Sequence, residues 1–325
     1  MKFTCEKALL VSALSVASRT VAQKSTIPCL EGVLLRAGVA LQLTGYNLET
    51  GITVHVGAQI QEAGSCVMPA RLFFDIVRKL PDEMVSITVD HKQQVSIRAG
   101  AAFFQITAMD SEDYPELPDV NGKSGVTMPQ SALKAMISGT IFSVSENQAR
   151  PIQTGCLMEV TEDSDEPVTF TLGDKHILFS IGDALLVSRV LEGEFIDWRR
   201  VVPTNCGTVL TANVAELTSS IERVSLIISE KVKSPVRCVF GDNMADFRTA
   251  NTIGSAHDTC SIAGNGGELE IGFNSRYLLD ALRVIPSEEV TLELQNGLSP
   301  IVFTPCDKKY DFAYMVLPVR LRSNS

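Results

Sequence analysis

The sequence predicts an α+β fold built from three tandem repeats of one helix and antiparallel-sheet unit, the middle repeat short by about 40 residues. Three observations predict it. Apolar segments with a helical period recur around 6–18, 131–144 and 215–228. A helix stopped by proline and followed by an alternating strand occurs twice. Residue matches at fixed offsets agree with one another along the chain.

Residues 6–18 open the first unit as an amphipathic helix. Lys2 and Lys7 ahead of Ala8 to Ala17 have the outline of a secretory leader, but Glu6 and the recurrence of such segments deep in the chain point to a mature helix in a cytoplasmic protein. Pro28-Cys-Leu-Glu-Gly32-Val-Leu34 follows and returns 123 residues later as Pro151-Ile-Gln-Thr-Gly155-Cys-Leu157, each opening an apolar strand. Val39 to Leu43 and Ile52 to Val56 read as further strands. Arg71, Asp75, Arg78, Pro81, Glu83 and Val85 mark a second helix and then a strand through Ile87 and Val89. The same pattern stands 205 residues on at Arg276, Asp280, Arg283, Pro286, Glu288 and Val290, continuing through Leu292 and Leu294. Asp165, Glu166, Val168, Phe170 and Leu172 are its middle copy.

The helix faces Leu133, Ile137, Phe142, Val144, Ser145 and Glu146 match Leu217, Ile221, Leu226, Ile228, Ser229 and Glu230 at an offset of 84. From first to second copy the offset is 123 at Pro28 but 83 at Glu83, and from second to third it is 84 early and 122 late. The middle unit therefore lacks about 40 residues between Val160 and Asp165, and a discontinuity is expected near Thr161 to Asp165. Ala245 to Ala250 reads as a strand of the third unit, and Asn121-Gly122, Gly266-Gly267 and Asn296-Gly297 read as turns between strands. The domains then run 1–124, 125–206 and 207–325.

Composition narrows the function. Apolar residues at 45% and charged residues at 20% describe a globular chain, and 325 residues suit two or three cores. A net charge of −10 argues against gripping a polyanion over the whole surface, though not against a local basic lining. The eight cysteines include no Cys-x-x-Cys pair and read as reduced, buried apolar residues, while the four histidines form no ligand pair on a helix face. No metal or other cofactor is expected. No run of 18 apolar residues occurs, and the densest glycines (Gly264, Gly266, Gly267) precede an alternating strand at Leu269, Ile271 and Phe273 rather than a helix, which argues against a phosphate loop.

Met1-Lys-Phe-Thr4, Pro69-Ala-Arg-Leu-Phe-Phe-Asp75, Leu191-Glu-Gly-Glu-Phe-Ile-Asp-Trp-Arg-Arg200, Glu270-Ile-Gly-Phe-Asn274 and Val316-Leu-Pro-Val-Arg-Leu321 together resemble the bacterial DNA polymerase III beta subunits, the sliding clamps. The resemblance spans the chain apart from the gap. It implies a DNA clamp fold whose two copies close head to tail into a ring, a non-catalytic processivity factor for DNA replication. Its partners would be double-stranded DNA held topologically and without sequence preference, a second copy, and the replicative polymerase and clamp loader through short peptides. A ring held by topology needs only weak phosphate contacts, which reconciles the acidic balance with a DNA partner.

Position by position, the resemblance implies DNA contacts at Lys24, Arg71, Asn147, Pro151 and Ile152, with Arg78, Lys79 and Arg150 as weaker candidates. Pro151 and Ile152 replace aromatic residues of some relatives, which argues against base stacking there. It implies a partner-peptide pocket from Ile196, Arg200, Val201, Asn274, Tyr277, Leu298, Pro300, Met315, Leu317, Pro318 and Val319. The Thr-Asp-Gly-His-Arg segment that walls this pocket in relatives is missing from the sequence. At the ring interface Phe104 would pack on Leu226 and Ile227 of the neighbour; Phe103 and Phe104 are consecutive on a strand, so one is expected to face inward.

Two other classes compete. An enzyme would start from Asp110, Glu112 and Asp113 beside Tyr114, but acidic residues in a loop usually form a solvated turn and no nucleophile and base pair up in the sequence. A non-DNA scaffold presenting peptide pockets on the same repeat is the alternative to the clamp.

Overall fold

Phe3 and Cys5 alternate with polar neighbours and turn inward from β1 (Lys2–Glu6). Helix α1 (Lys7–Ala17) follows at once and buries Leu10, Ala13, Leu14 and Ala17, one stripe of a 3.6-residue period. The computed structural model describes residues 1–120, 125–158, 169–228 and 234–321, in two compact units: Met1–Lys134 with Glu159–Glu192, and Ala135–Met158 with Gly193–Ser325.

In the first unit a 3-10 turn at Pro28–Glu31 leads to β2 (Gly32–Ala37), β3 (Leu41–Tyr46), β4 (Thr50–Val56), β5 (Ala58–Glu62) and β6 (Gly64–Pro69). Val39, expected in a strand, lies fully exposed in the turn between β2 and β3, because the three residues Gly38, Val39 and Ala40 reverse the chain there. Helix α2 (Ala70–Lys79) ends before Leu80, since Pro81 disfavours helical backbone in the residue preceding it. The Lys7 ammonium donates to the Leu80 carbonyl at 2.6 Å and satisfies an acceptor at the helix end.

Strands β7 (Met84–Val89), β8 (Gln94–Ala99) and β9 (Ala102–Thr107) complete a sheet in the order β5-β1-β7-β8-β9. Beyond them come β10 (Gly125–Val126), α3 (Gln130–Thr140), β11 (Thr169–Leu172), β12 (His176–Ile181) and β13 (Ala184–Arg189). The second sheet runs β10-β11-β12-β13-β4-β3-β2-β6, so the middle repeat extends the sheet of the first through the β13–β4 seam, where Leu186 lies opposite Ile52. Phe3, Ile87 and Ile97 from one sheet, Leu35, Leu43 and Met68 from the other, and Leu14, Phe73 and Val77 from the helices share one sealed core.

The second unit contains a single-turn α4 (Trp198–Val201), then β14 (Thr208–Asn213), α5 (Val214–Ser225), β15 (Val236–Ala250), β16 (Ser255–Phe273), α6 (Ser275–Leu282), β17 (Glu289–Leu294), β18 (Ile301–Pro305) and β19 (Tyr314–Val316). Its sheet runs β15-β16-β14-β17-β18-β19, and α5 packs on α6 as α1 packs on α2. The repetition extends to single hydrogen bonds. Asn47 Oδ1 accepts from the amides of Glu49 and Thr50, and Asn251 Oδ1 accepts from those of Ile253 and Gly254, so one side-chain turn precedes β4 and the start of β16. Gly266-Gly267 is a correction: both glycines lie inside β16, at an irregularity where Gly267 and Glu268 take positive φ, rather than between two strands. A Cβ on Gly266 would fall 2.2 Å from the Phe240 carbonyl oxygen, so the close approach of β15 dictates glycine.

The middle repeat departs from its sisters. The 3-10 turn at Pro151–Thr154 reproduces Pro28–Glu31, yet Gly155, Cys156 and Leu157 form no strand, in contrast to the expectation, and Leu157 is exposed. Helix α3 buries Leu133 alone, whereas α5 buries Leu217, Ser220, Ile221 and Val224. The strand opposite which Gly155 to Leu157 would pair is among the residues the sequence lacks. The expected discontinuity at Thr161 to Asp165, the residues Glu166 and Val168, the turn at Asn121-Gly122, and Ser229 and Glu230 lie outside the described residues.

The cysteines need a partial correction. Cys5, Cys29, Cys66, Cys238 and Cys260 are buried, but Cys206 is partly exposed and Cys156 and Cys306 are exposed. Burial pushes the thiols of Cys5 and Cys66 up to about 12 and that of Cys238 higher still. Alkylation of the native chain at neutral pH, read by peptide mass mapping, should therefore label Cys156 and Cys306 and spare Cys5, Cys66 and Cys238. Leu14→Ala, at a position with no exposure, should cost about 2–5 kcal/mol in denaturant titrations. Ile137→Ala, at the matching but half-exposed position of α3, should cost under about 1 kcal/mol.

Candidate nucleic-acid and peptide interfaces

Lys24 and Asn147 each stand four residues before the proline that starts a 3-10 turn, so the repeat brings them to one structural position. Both loops are tied down. Around Lys24, which is exposed, the Ala22 amide donates to the Leu30 carbonyl at 3.0 Å and the Ser25 amide to Glu31 Oε1 at 3.0 Å. Asn147 Oδ1 accepts from the Ala149 amide at 3.0 Å, and the Ser145 amide donates to the Gln153 carbonyl at 2.8 Å. Pro151 is exposed, while Ile152 is half-buried and lies against Gly193.

Arg71 occupies the first turn of α2, exposed and in no ion pair among the described residues; Arg78 reaches Asp75 at 3.4 Å. Helices α1, α2, α3, α5 and α6 together carry seven basic and four acidic side chains in a chain of net charge −10. Positive charge is thus concentrated on helices while the acidic excess lies elsewhere, a segregation that permits weak phosphate contact by helices.

The proposed peptide-pocket residues of the third repeat gather around the end of β16. Gly272 is the point of closest approach: its carbonyl accepts from the Val319 amide at 2.7 Å, and a Cβ there would fall 2.5 Å from Leu321 Cδ2. Phe273 pairs with Pro318, and Met315 lies opposite Val302. Asn274 caps α6, its Oδ1 accepting from the Arg276 amide at 3.0 Å, and aims the first turn so that Tyr277 stands exposed. The loop carrying Leu298 and Pro300 is shaped by Asn296, whose Oδ1 accepts from the Leu298 amide, and it approaches the Glu270 carbonyl at Gly297. Leu298, Leu317 and Val319 are all exposed apolar side chains.

Ile196, Arg200 and Val201 are exposed at α4, where Arg200 pairs with Asp197 at 2.9 Å. Sequence reasoning passed over Trp198, the single tryptophan, which is exposed beneath the Arg199 guanidinium at 4.5 Å; its lying between Ile196 and Arg200 was the available signal.

At the proposed ring interface Phe104 takes the inward face, opposite the buried Ile97, yet is 39% exposed at the sheet edge, while Phe103 takes the other face opposite Arg98 and is 49% exposed. Strand β9 is the edge of its sheet, and the Arg98 guanidinium 4.5 Å above Phe103 takes the place of a packed core on that face. Leu226 is 82% exposed at the end of α5, and Ile227 is half-buried with its carbonyl accepting from Asn251 Nδ2 at 2.8 Å.

Beside them a groove of about 430 Å³ runs between α5 and β16, lined by Glu216, Ser219, Arg223, Thr259 and Ser261. A charge network flanks the start of β16. Asp246 accepts two hydrogen bonds from Arg248, at 2.6 and 2.9 Å, and one contact from His257 at 2.7 Å, while Arg223 pairs with Asp258 at 2.5 Å. Burial pushes the Asp246 carboxyl up, but its hydrogen bonds to Arg248 and His257 outweigh that and hold it below the usual range.

The acidic loop considered for an enzyme is a structural turn. Asp110 Oδ1 accepts from the Glu112 amide at 3.0 Å, the Asp113 carbonyl accepts from the Cys29 thiol, and Tyr114 is buried with its hydroxyl donating to the Thr44 carbonyl at 3.3 Å.

Residues 1–118 match the family model for the DNA polymerase III beta subunit N-terminal domain, and residues 199–320 match that for its C-terminal domain. The beta sliding clamp of Staphylococcus epidermidis is 26% identical over 375 aligned positions, covering 98% of this chain and 99% of that protein. Those positions exceed the 325 residues of this chain by fifty. The DNA polymerase sliding clamp of Bacillus subtilis superposes with a TM-score of 0.90 at 26% identity over 99% of this chain and 100% of that one. The DNA polymerase III beta subunit of Bartonella birtlesii, solved bound to griselimycin, superposes at 0.93 with 25% identity over 99% of this chain and 100% of that one.

Because its partners lower the Asp246 carboxyl, that carboxylate stabilises the third repeat at pH values above its unfolded range and loses this contribution as pH falls below about 4. Asp246→Asn should flatten the acid limb of the melting-temperature profile below that pH.

Proposed function

This chain belongs to the beta sliding clamp family of DNA polymerase III beta subunits, and we propose that two copies close head to tail into the ring that encircles duplex DNA. Its function is that of a sliding clamp, a non-catalytic processivity factor that tethers the polymerase to its template.

One observation supports the ring: Tyr314 and Phe142 make within the chain the contact proposed between subunits, at the equivalent positions of two repeats. Phe104 opposite Ile97, Leu186 opposite Phe179 and Tyr314 opposite Phe303 hold the same place on the last strand of each repeat. Leu186 meets Ile52 of the preceding repeat across the β13–β4 seam. The Tyr314 ring packs edge-on against Phe142, the residue of the middle repeat that corresponds to Leu226, at 5.6 Å. The next step of the series puts Phe104 on Leu226 and Ile227 of the partner subunit. A head-to-tail contact of this kind makes a ring where the rotation closes. Strand β16 leaves an edge for β9, being joined to β14 only at Ile262 and Ala263 among the described residues.

In this ring the three domains are 1–124, 125–206 and 207–325. Lys24, Arg71 and Asn147, with Pro151 and Ile152 beside them, face the DNA. The surface around Gly272 receives the short apolar peptides of the polymerase and clamp loader. Ile196, Arg200, Val201, Asn274, Tyr277, Leu298, Pro300, Met315, Leu317, Pro318 and Val319 line it on the third-repeat side, without the wall that the middle repeat lacks.

Light scattering should give a native mass twice the 35.2 kDa of the chain. Phe104→Arg, a change at an exposed side chain, should reduce it to one chain by placing an unpaired charge in the contact. A native mass unchanged by Phe104→Arg overturns the interface. Lys24→Ala with Arg71→Ala should weaken retention on circular DNA at low salt and reduce the salt slope by about one to two.

A further inference from the structure

We infer that the subunit contact has a second element on the outer face of the sheet, where Phe103, with Arg98 stacked on it, docks on the cluster of His257, Asp246 and Arg248 of the partner subunit. The inference rests on the ring reading above and adds to it the register in which two chains join. The seam inside the chain supplies that register. Leu185 lies opposite Thr53 and Leu186 opposite Ile52, and the ladder is closed by the His55 amide donating to the Asp183 carbonyl at 3.0 Å and the Arg189 amide to the Glu49 carbonyl at 2.8 Å. Both strands of the seam have counterparts. The β8–β9 hairpin repeats the β12–β13 hairpin: Arg98 lies opposite Phe103 as Ser180 lies opposite Leu185, and Gly100 and Gly182 turn the chain at φ of 54° and 56°. The start of β16 repeats β4: Leu43 opposite Val54 and Thr44 opposite Thr53 return 204 residues later as Phe247 opposite Asp258 and Arg248 opposite His257.

Carried from β13 and β4 to β9 and β16, the register sets Phe103 opposite His257 of the partner subunit, Phe104 opposite Ala256 of the partner subunit and Ile106 opposite Gly254 of the partner subunit. The strand that must accept this pairing has room for it, since among the described residues Ser255 to Thr259 of β16 pair with β15 alone. Phe104 takes the face already assigned to Leu226 and Ile227, and Phe103 takes the other. Each chain carries both halves of that outer contact. The Phe103 ring is 49% exposed even with the Arg98 guanidinium 4.5 Å from its centre. His257 Nε2 stands 2.7 Å from Asp246 Oδ2, and Asp246 also accepts from Arg248 at 2.6 and 2.9 Å, so the imidazole is held in one orientation at the strand edge. An exposed phenyl ring directly across a strand pair from a fixed imidazole makes a cross-strand aromatic pair, and the pairing removes apolar ring surface from water.

The test joins a cross-link to an affinity measurement on the full chain. Ile106→Cys with Gly254→Cys should form a disulfide-linked dimer under mild oxidation, located by peptide mass mapping, because a side chain at Gly254 meets no atom within 4 Å. Ile106→Cys with Ala256→Cys, two residues out of register, should not link. Phe103→Ala and His257→Ala should each raise the dimer dissociation constant at least about tenfold, since the contact occurs twice in a ring, and the double variant should be no weaker than the worse single one. Both side chains are exposed, so each variant should keep the circular dichroism of the parent. Absence of the link between positions 106 and 254, a link between 106 and 256 in its place, or a dissociation constant indifferent to Phe103→Ala or His257→Ala overturns the inference; the ring reading survives those outcomes if Phe104→Arg still separates the parent dimer. A parent chain with the native mass of one chain overturns both.

Discussion

A strand at the edge of a sheet carries a row of unpaired N–H and C=O groups, and the last strand of each repeat is such an edge. Strand β13 resolves the problem inside the chain by pairing with β4, which makes one continuous eight-stranded sheet from two repeats. Tyr314 on β19 meets the preceding repeat through Phe142. Strand β9 is the outer strand of its sheet, and its two phenylalanines stand exposed there. The proposal about assembly descends from the edge at β9, because an exposed edge carrying aromatic side chains is a surface a second chain can cover.

The middle repeat shows what a unit of this kind loses with its second helix. The first and third repeats each close a large core between sheets and two helices, and the residues that seal those cores come from α1, α2, α5 and α6. Middle-repeat strands β11 to β13 survive by joining the sheet of the first repeat, where ladder hydrogen bonds and Phe170 and Val187 hold them. Helix α3 has no comparable shelter. Its apolar side chains meet solvent, and unburied apolar area of that kind is a liability to a marginally stable fold.

Charge is distributed by the same division of labour. Helices carry the basic excess, and the acidic excess falls outside them. For the proposed ring, retained on DNA by closure, contacts from a few exposed cations suffice, and strong phosphate pairing would slow sliding. Pairs such as Arg223 with Asp258 and Arg283 with Glu222 withdraw two further guanidiniums from that role and leave Arg71 unpaired among the described residues.

The repeat, the helix positions and the alternating strands were legible in the sequence because they follow from local period and from fixed offsets, which tertiary contacts do not alter. The equivalence of Lys24 with Asn147, and of Phe142 with Leu226, was likewise written in the numbering. The exposure of both Phe103 and Phe104 was not legible, since strand alternation says which faces two residues take and is silent on whether either face is covered. Nor was the role of Gly266-Gly267, a strand irregularity rather than a turn, because both uses call for glycine and only the approach of Phe240 separates them. By itself the sequence determined the unit, its number and its defect. The tertiary structure decided which edges and faces remain unpaired, because pairing depends on what a neighbouring repeat brings into reach.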